Sequence, residues 1–345
     1  MKTLTPSTLF WRMAVSFTLL ILIAGLSSLV GSERIDLSHV FQDSSDGTPN
    51  IDYEILVHIR FPRIVAAGLI GSALAVSGVV FQALLRNPLA DPYILGISSG
   101  AALGAVLALL CGLNATIAWG SPLGLAAFVG AMFTVWAVFT IASASGRRHP
   151  ATLLLAGVVV NAFLSAVILF LTSIAQGTKL QATVFWLMGN LNTAAVGGDS
   201  ILFILAMAVL LSLMVLMRLA GALNIISFSP EEALTIGVNP HRIQTISFAC
   251  AALITSLAVS LSGLIGFVGL IIPHAVRLLL GPDHRQLIPL SAVAGAAFLI
   301  VADTVARVVI APAQLPVGII TALIGGPFFL LLLLRSSLRI REATA

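Results

Sequence analysis

Charge is nearly absent from long stretches of this chain and gathers in short intervals between apolar runs. Ten such runs lie near residues 9–30, 62–85, 94–113, 117–142, 151–175, 198–217, 242–262, 264–280, 287–310 and 318–334. Lys and Arg number 17 and Asp and Glu 13 in 345 residues, so charge is 9%, against about 25% in an ordinary soluble domain. Hydrophobic residues reach 59% and mean hydropathy is +1.10. A bilayer crossing takes about 20 apolar residues, and its backbone must bond to itself. The expectation is an all-α polytopic membrane protein of about ten transmembrane helices, a single domain over residues 1–345. A soluble enzyme, a disordered chain and a nucleic-acid binder are excluded, because a net +4 is not the clustered basic surface that phosphate contacts need.

The first run continues from Met13 to Val30 with Arg12 at its start. It is longer than a secretory signal core and reads as an uncleaved helix. Positive residues in short loops set orientation. With the first residue inside, twelve Lys and Arg fall on the inner face, including Arg86, Arg147, Arg148, Arg218, Arg242, Arg277 and Arg285. Five fall outside: Arg34, Arg60, Arg63, Lys179 and Arg307. Both termini are therefore expected in the cytoplasm, with a solvated outer loop over 31–60 that holds six of the acids.

The chemistry-bearing patterns are few. Cys111 and Cys250 lie far apart without CxxC or clustered His, so no disulfide framework, metal site or cofactor is expected. The two lysines, Lys2 and Lys179, stand in no GxxxxGK[ST] loop, so ATP is not bound in that way. Gly96-Ile-Ser-Ser-Gly100 matches the G-x-S-x-G pattern but opens an apolar helix, where a nucleophile elbow needs a preceding strand. Gly96, Gly100 and Gly104 read instead as a small-residue ridge for helix packing.

Asp303 and Arg307 stand one turn apart near the outer end of the ninth run. Ionisable groups at membrane depth pair with one another or face a cavity, and both readings stand. Arg60 and Arg63 flank Pro62 outside the second run. They can anchor to lipid phosphates, or present guanidinium forks to the carboxylates of an outer partner. Between the sixth and seventh runs, Ser229 reads as N-cap, Pro230 as the first helical residue, Glu232 as its capping-box partner and Gly237 as the stop. That predicts a helix of about seven residues at 229–237 on the cytoplasmic face, including Glu231 and Ala233. It is too short to be stable alone, so it serves as a docked connector or a lever. Pro273, within a Gly-rich run that includes His274 and Arg277, is expected to kink its helix or free a carbonyl, a place for flexing.

These residues carry a resemblance. Arg60-x-Pro-Arg63, Ser77-Gly78-x-x-x-Gln82, Arg86-Asn87-Pro88-Leu89-Ala90-x-Pro92 and Leu95-Gly96-x-Ser98-x-Gly100-Ala101 resemble the early half of the FecCD-type permeases. Phe267-Val-Gly-Leu-Ile-x-Pro-His274-x-x-Arg277, Gly281-x-Asp283-His284-Arg285, Ala302-Asp303-x-x-Ala306-Arg307 and Leu315-Pro-Val-Gly318 resemble the late half. The resemblance implies the type II transmembrane domain of an ABC importer for iron-siderophores, haem or cobalamin, in a bacterial cytoplasmic (inner) membrane. It implies a homodimer, two cytoplasmic ATP-binding subunits and an extracytoplasmic substrate-binding protein, with no chemistry in the permease itself. Arg60, Arg63 and Arg307 then dock the binding protein, and the helix after Ser229 couples to the ATPase. Iron chelates rank first as cargo and cobalamin second. An ion-coupled secondary transporter is the alternative from another class. The chain departs from the family pattern at Phe228-Ser229-Pro230, Leu234, Asn190 and Gln314.

Overall fold

A computed structural model describes residues 5–33, 35, 36, 40, 50–113, 121–144, 150–191, 199–235 and 237–344. These residues contain no strand. Twelve helices follow in order: α1 (Pro6–Leu29), α2 (Ile51–Leu84), α3 (Ile97–Leu110), α4 (Pro122–Ala144), α5 (Pro150–Ile174), α6 (Thr178–Leu187), α7 (Asp199–Phe228), α8 (Pro230–Thr235), α9 (Pro240–Ser262), α10 (Val268–Leu280), α11 (His284–Val308) and α12 (Val317–Thr344). The ten apolar runs become seven helices of membrane-crossing length (α1, α2, α4, α5, α7, α9 and α11) and three shorter apolar ones, namely α3, α10 and the Val317–Leu331 part of α12.

Three boundaries differ from expectation. Helix α7 continues to Phe228, well past the expected end near 217, because Arg218 marks an edge of apolarity and not the end of the backbone ladder. Helix α2 begins at Ile51 and passes through a π-helical stretch at Ile55–Arg60, within the segment expected as outer loop. Within the rest of that loop, residues 34, 37–39 and 41–49 lie outside the described residues. Helix α6 was not expected at all, since its ten residues include Lys179 and Gln181 and fall below the length of a span.

Helix α2 is the centre of the bundle. It packs antiparallel to α11, with Ser72 Oγ donating to the Ala292 carbonyl at 2.9 Å and Gly71 facing Gly295. Lipid tails are as apolar as leucine, so close backbone approach and dispersion replace the hydrophobic drive between such helices. The predicted ridge on α3 works in the same way against α4: β-carbons at Gly100 and Gly104 would overlap the carbonyls of Gly130 and Ala126. Gly96 plays a different part. Its φ of +80° turns the chain from the 3₁₀ turn Pro92–Leu95 into α3, a conformation glycine adopts without cost.

Pro273 frees the Gly269 carbonyl four residues earlier, as a helical proline must. A neighbouring helix satisfies it. Gln82 Nε2 on α2 reaches Gly269 O at 3.4 Å and Leu270 O at 3.3 Å, while Gly78, one turn away, lets the same carbonyl approach the α2 backbone.

Helices α9 and α10 are the two parts of one interrupted stretch. Residues 263–266 are not helical, Gly263 sits at φ +67°, ψ −156° and Phe267 at φ +69°. Non-helical backbone at membrane depth persists only where the surrounding protein satisfies it. Here Tyr93 Oη accepts from the Ile265 N–H at 2.9 Å and donates to the Ile265 carbonyl at 2.7 Å. The Asn190 N–H donates to the Ser262 carbonyl at 2.7 Å. Tyr93→Phe removes one hydroxyl and leaves two buried backbone groups unpaired, so it is expected to cost about 2 kcal/mol. The check is a lower thermal unfolding midpoint of the purified protein, with expression retained.

Candidate functional site

The fold places the candidate residues at two opposite faces. Arg12 of α1 donates to Gln286 near the start of α11, so the N-terminus of α1 lies at the face of the α8 turn. The other end of α1 meets the arginines: Arg60 Nη1 donates to the Ser28 carbonyl at 2.8 Å and Arg307 Nη1 to the Val30 carbonyl at 3.4 Å.

Arg60, Arg63, Asp303 and Arg307 are all buried. Arg63 grips Asp303 with Nε at 3.1 and 3.0 Å from the two carboxylate oxygens and Nη2 at 2.9 Å from Oδ1. Its Nη1 donates to Gln314 Oε1 at 2.8 Å. Arg307 Nε stands 3.1 Å from Asp303 Oδ2, close enough for an ion pair but not aligned as a hydrogen bond, while Nη2 reaches Thr304 Oγ1 at 3.1 Å. One carboxylate thus serves two guanidinium groups from two helices. Fork-to-carboxylate geometry of this kind gives the strongest protein hydrogen bonds. Among the described residues no carboxylate forms a salt bridge with Arg60, which donates to the carbonyls of Ser28 and Glu33 and lies in the field of the Glu33 carboxylate. The three arginines border a cavity of about 240 Å³, with Glu33, Ile55, Ile59 and Gln314 also on its wall. Of the two readings open for Asp303 and Arg307 the structure shows both: they pair, with Arg63 joining across 240 residues of sequence, and Arg307 borders the cavity.

At the opposite face α8 follows α7 after the single residue Ser229. The Ala233 N–H donates to the Ser229 carbonyl at 3.2 Å. The Gly237 N–H closes on the Leu234 carbonyl at 3.2 Å with φ +81°, so the cap and the stop fall where their residue types put them. Ala233 is buried, and Phe228 and Leu234 are exposed beside it. The side chains of Pro230, Glu231 and Glu232 lie outside the described residues.

Residues 19–335 match the FecCD transport family. The chain belongs to that family. This FecCD chain is 45% identical to the cobalamin import system permease protein BtuC of Halobacterium salinarum, over 83% of its own length and 75% of the relative's. It is 39% identical to the hemin transport system permease protein HmuU of Yersinia pestis, over 92% and 93%. Among solved structures it superposes on an inward-facing metal-chelate type ABC transporter with a TM-score of 0.79 at 32% identity, covering 96% of this chain and all of the other. The FecCD chain is thus a multi-pass membrane permease subunit of an ABC importer.

Three residues of the permease that position its sites were not singled out as such from the sequence. Gln82 and Tyr93 carry no charge and entered only within or beside longer motifs. The signal for Gln82 was available in Pro273, whose freed carbonyl requires a donor on a neighbour. Asn224 lies beyond the expected end of its run. Its side chain bonds both Asp283 and His284, so it joins the end of α7 to the start of α11.

Proposed function

We propose that this permease imports an iron chelate, a ferric siderophore or haem, through a pathway formed by two copies of the chain in the cytoplasmic membrane. Cobalamin is the second candidate. The kinship to permeases for hemin and cobalamin supports this cargo class. Ten crossings per subunit, both termini in the cytoplasm, ATP hydrolysis by two partner subunits and delivery by an extracytoplasmic binding protein complete the reading. No intramembrane row of acids supports the ion-coupled alternative. Helix α8 with Ser229, Pro230, Glu231, Glu232, Ala233 and Gly237 is the ATPase contact, and the glycines of α3 and Pro273 serve packing and flexing.

The observation that carries the outer half of this reading is the arginine cavity. Asp303 engages Arg63 and Arg307, and Arg60 faces the cavity hydrogen-bonded to backbone carbonyls, with Glu33 the acid nearest in charge. A carboxylate of the binding protein entering there meets three guanidinium groups balanced by two acids, Asp303 and Glu33, and so a net positive charge. Arg60→Glu is therefore expected to weaken docking of the loaded binding protein by about ten-fold or more at low salt, and less as salt screens the pair. Binding of the protein to immobilised permease at two ionic strengths checks it, and unchanged affinity at both would remove Arg60 from the interface. Uptake of haem, ferric siderophore and cobalamin by proteoliposomes holding the permease, its ATPase and its binding protein decides the cargo.

A further inference from the structure

One amide ties the end of α7 to the start of α11. Helix α7 has 30 residues, about 45 Å at the α-helical rise and longer than the hydrocarbon core, so its last turns stand at the membrane edge, where α8 begins. Asn224 lies in the last of these turns. Its Nδ2 donates to Asp283 Oδ1 at 2.7 Å. Its Oδ1 accepts from the His284 backbone N–H at 2.8 Å and lies 2.6 Å from His284 Nδ1. An amide oxygen only accepts, so His284 carries its proton on Nδ1. Asp283 is at the same time the N-cap of α11, accepting from the Arg285 N–H at 2.9 Å. The Arg285 guanidinium lies over Gly221, one turn back on α7. All the side-chain hydrogen bonds of Asn224 thus go to the turn that starts α11, and that helix runs on through Pro289 to Asp303, about 30 Å away, where the carboxylate holds Arg63 and Arg307.

We propose that Asn224 is a positioning residue of the transport cycle: by binding the Asp283–His284 turn it makes the α7–α8 arm and α11 move as one body, so that displacement of α8 reaches the Asp303 cluster on the opposite face. The inference rests on the reading of α8 as the ATPase contact. Asn224 touches neither partner in that reading, and its effect passes through α11.

The test uses the full complex of permease, ATPase and loaded binding protein in proteoliposomes. For Asn224→Ala, basal ATP turnover is expected to stay within about two-fold of wild type, while stimulation by the binding protein and substrate uptake each fall by about ten-fold, the scale of an ordinary coupling energy. A pair of spin labels at Leu234 and Val309 of one subunit, both exposed, is expected to hold a fixed distance between nucleotide-free and ATP-bound wild type and to change it in the variant. If Asn224→Ala fails to assemble, Asn224→Asp keeps the acceptors for His284 but sets a carboxylate against Asp283, and the same loss of stimulation is expected. Wild-type stimulation and uptake in either variant overturn the proposal. So does a loss of basal and stimulated turnover in equal proportion, which marks a purely structural residue. A wild-type complex that shows no stimulated turnover at all would instead overturn the ATPase-coupling reading, so the two failures are distinct.

Discussion

Asp303→Ala is expected to leave little folded permease in the membrane. The carboxylate is buried and engages Arg63 from α2 and Arg307 from its own helix. Removing it leaves two buried guanidinium groups facing one another with no counter-charge between them. Breaking a buried pair by deleting one partner costs about 3–5 kcal/mol, a large share of a typical stability of about 5–15 kcal/mol. The measurement is the yield of monodisperse, detergent-solubilised protein and its thermal unfolding midpoint. Asp303→Asn keeps the shape and two acceptor lone pairs but not the charge, and it should fall between wild type and the alanine variant. A double change, Arg63→Leu with Asp303→Leu, removes a charge of each sign and fills the space, so it should cost less than Asp303→Ala alone. Recovery in the double variant separates loss of the ion pair from loss of volume. If Asp303→Ala expressed and melted like wild type, the cluster would not hold α2 against α11. Arg63 is thereby distinguished from Arg60. Reversing Arg63 attacks this clamp, whereas reversing Arg60 leaves it intact and reports on the cavity.

How far the sequence carried the fold depended on what kind of signal each element has. Apolar runs persist over a span's length and mark membrane crossings, so the long helices were legible from composition alone. Caps are local chemistry, and Ser229 and Gly237 therefore bounded α8 to within a residue or two. Helix α6 has neither signal. It is short, it starts after Gly177 with no side-chain cap, and it forms where other elements hold it, with Thr183 buried among them. The outer arginines stood out because charge is rare, yet their pairing was not visible: Arg63 and Asp303 are far apart in sequence, and sequence offered Arg307 as the nearer partner. Gln314 shows the same limit. In the sequence it is marked only as a departure from the family pattern, whereas in the folded chain its amide oxygen accepts from Arg63. An amide there satisfies the guanidinium without adding negative charge to the cavity, and the net positive charge of its three arginines is preserved.

Gly78→Ala is expected to separate α2 from α10 and to cost the permease most of its stability without touching either face. A β-carbon at this position would overlap the carbonyl carbon and oxygen of Gly269, which are backbone atoms and cannot rotate aside. The obstructed carbonyl is also the one that Pro273 leaves without its helical donor and that Gln82 approaches at 3.4 Å. Relief of the overlap requires α2 and α10 to move apart, and that movement lengthens the Gln82 contact and leaves a polar group buried and unpaired. Overpacking typically costs about 1–3 kcal/mol, and an unsatisfied buried acceptor about 1–3 more. Gln82→Leu isolates the second part, because it removes the donor and leaves the helix spacing unchanged, so it should cost about 1–3 kcal/mol. The two substitutions share a partner and should be non-additive: once Gly78→Ala has parted the helices, Gln82→Leu has little left to remove. Unfolding midpoints of both single variants and the double variant measure that coupling. Full additivity would mean that the proline-freed carbonyl is satisfied by something other than the α2 amide, and that the Pro273 turn does not depend on α2 for its place in the bundle.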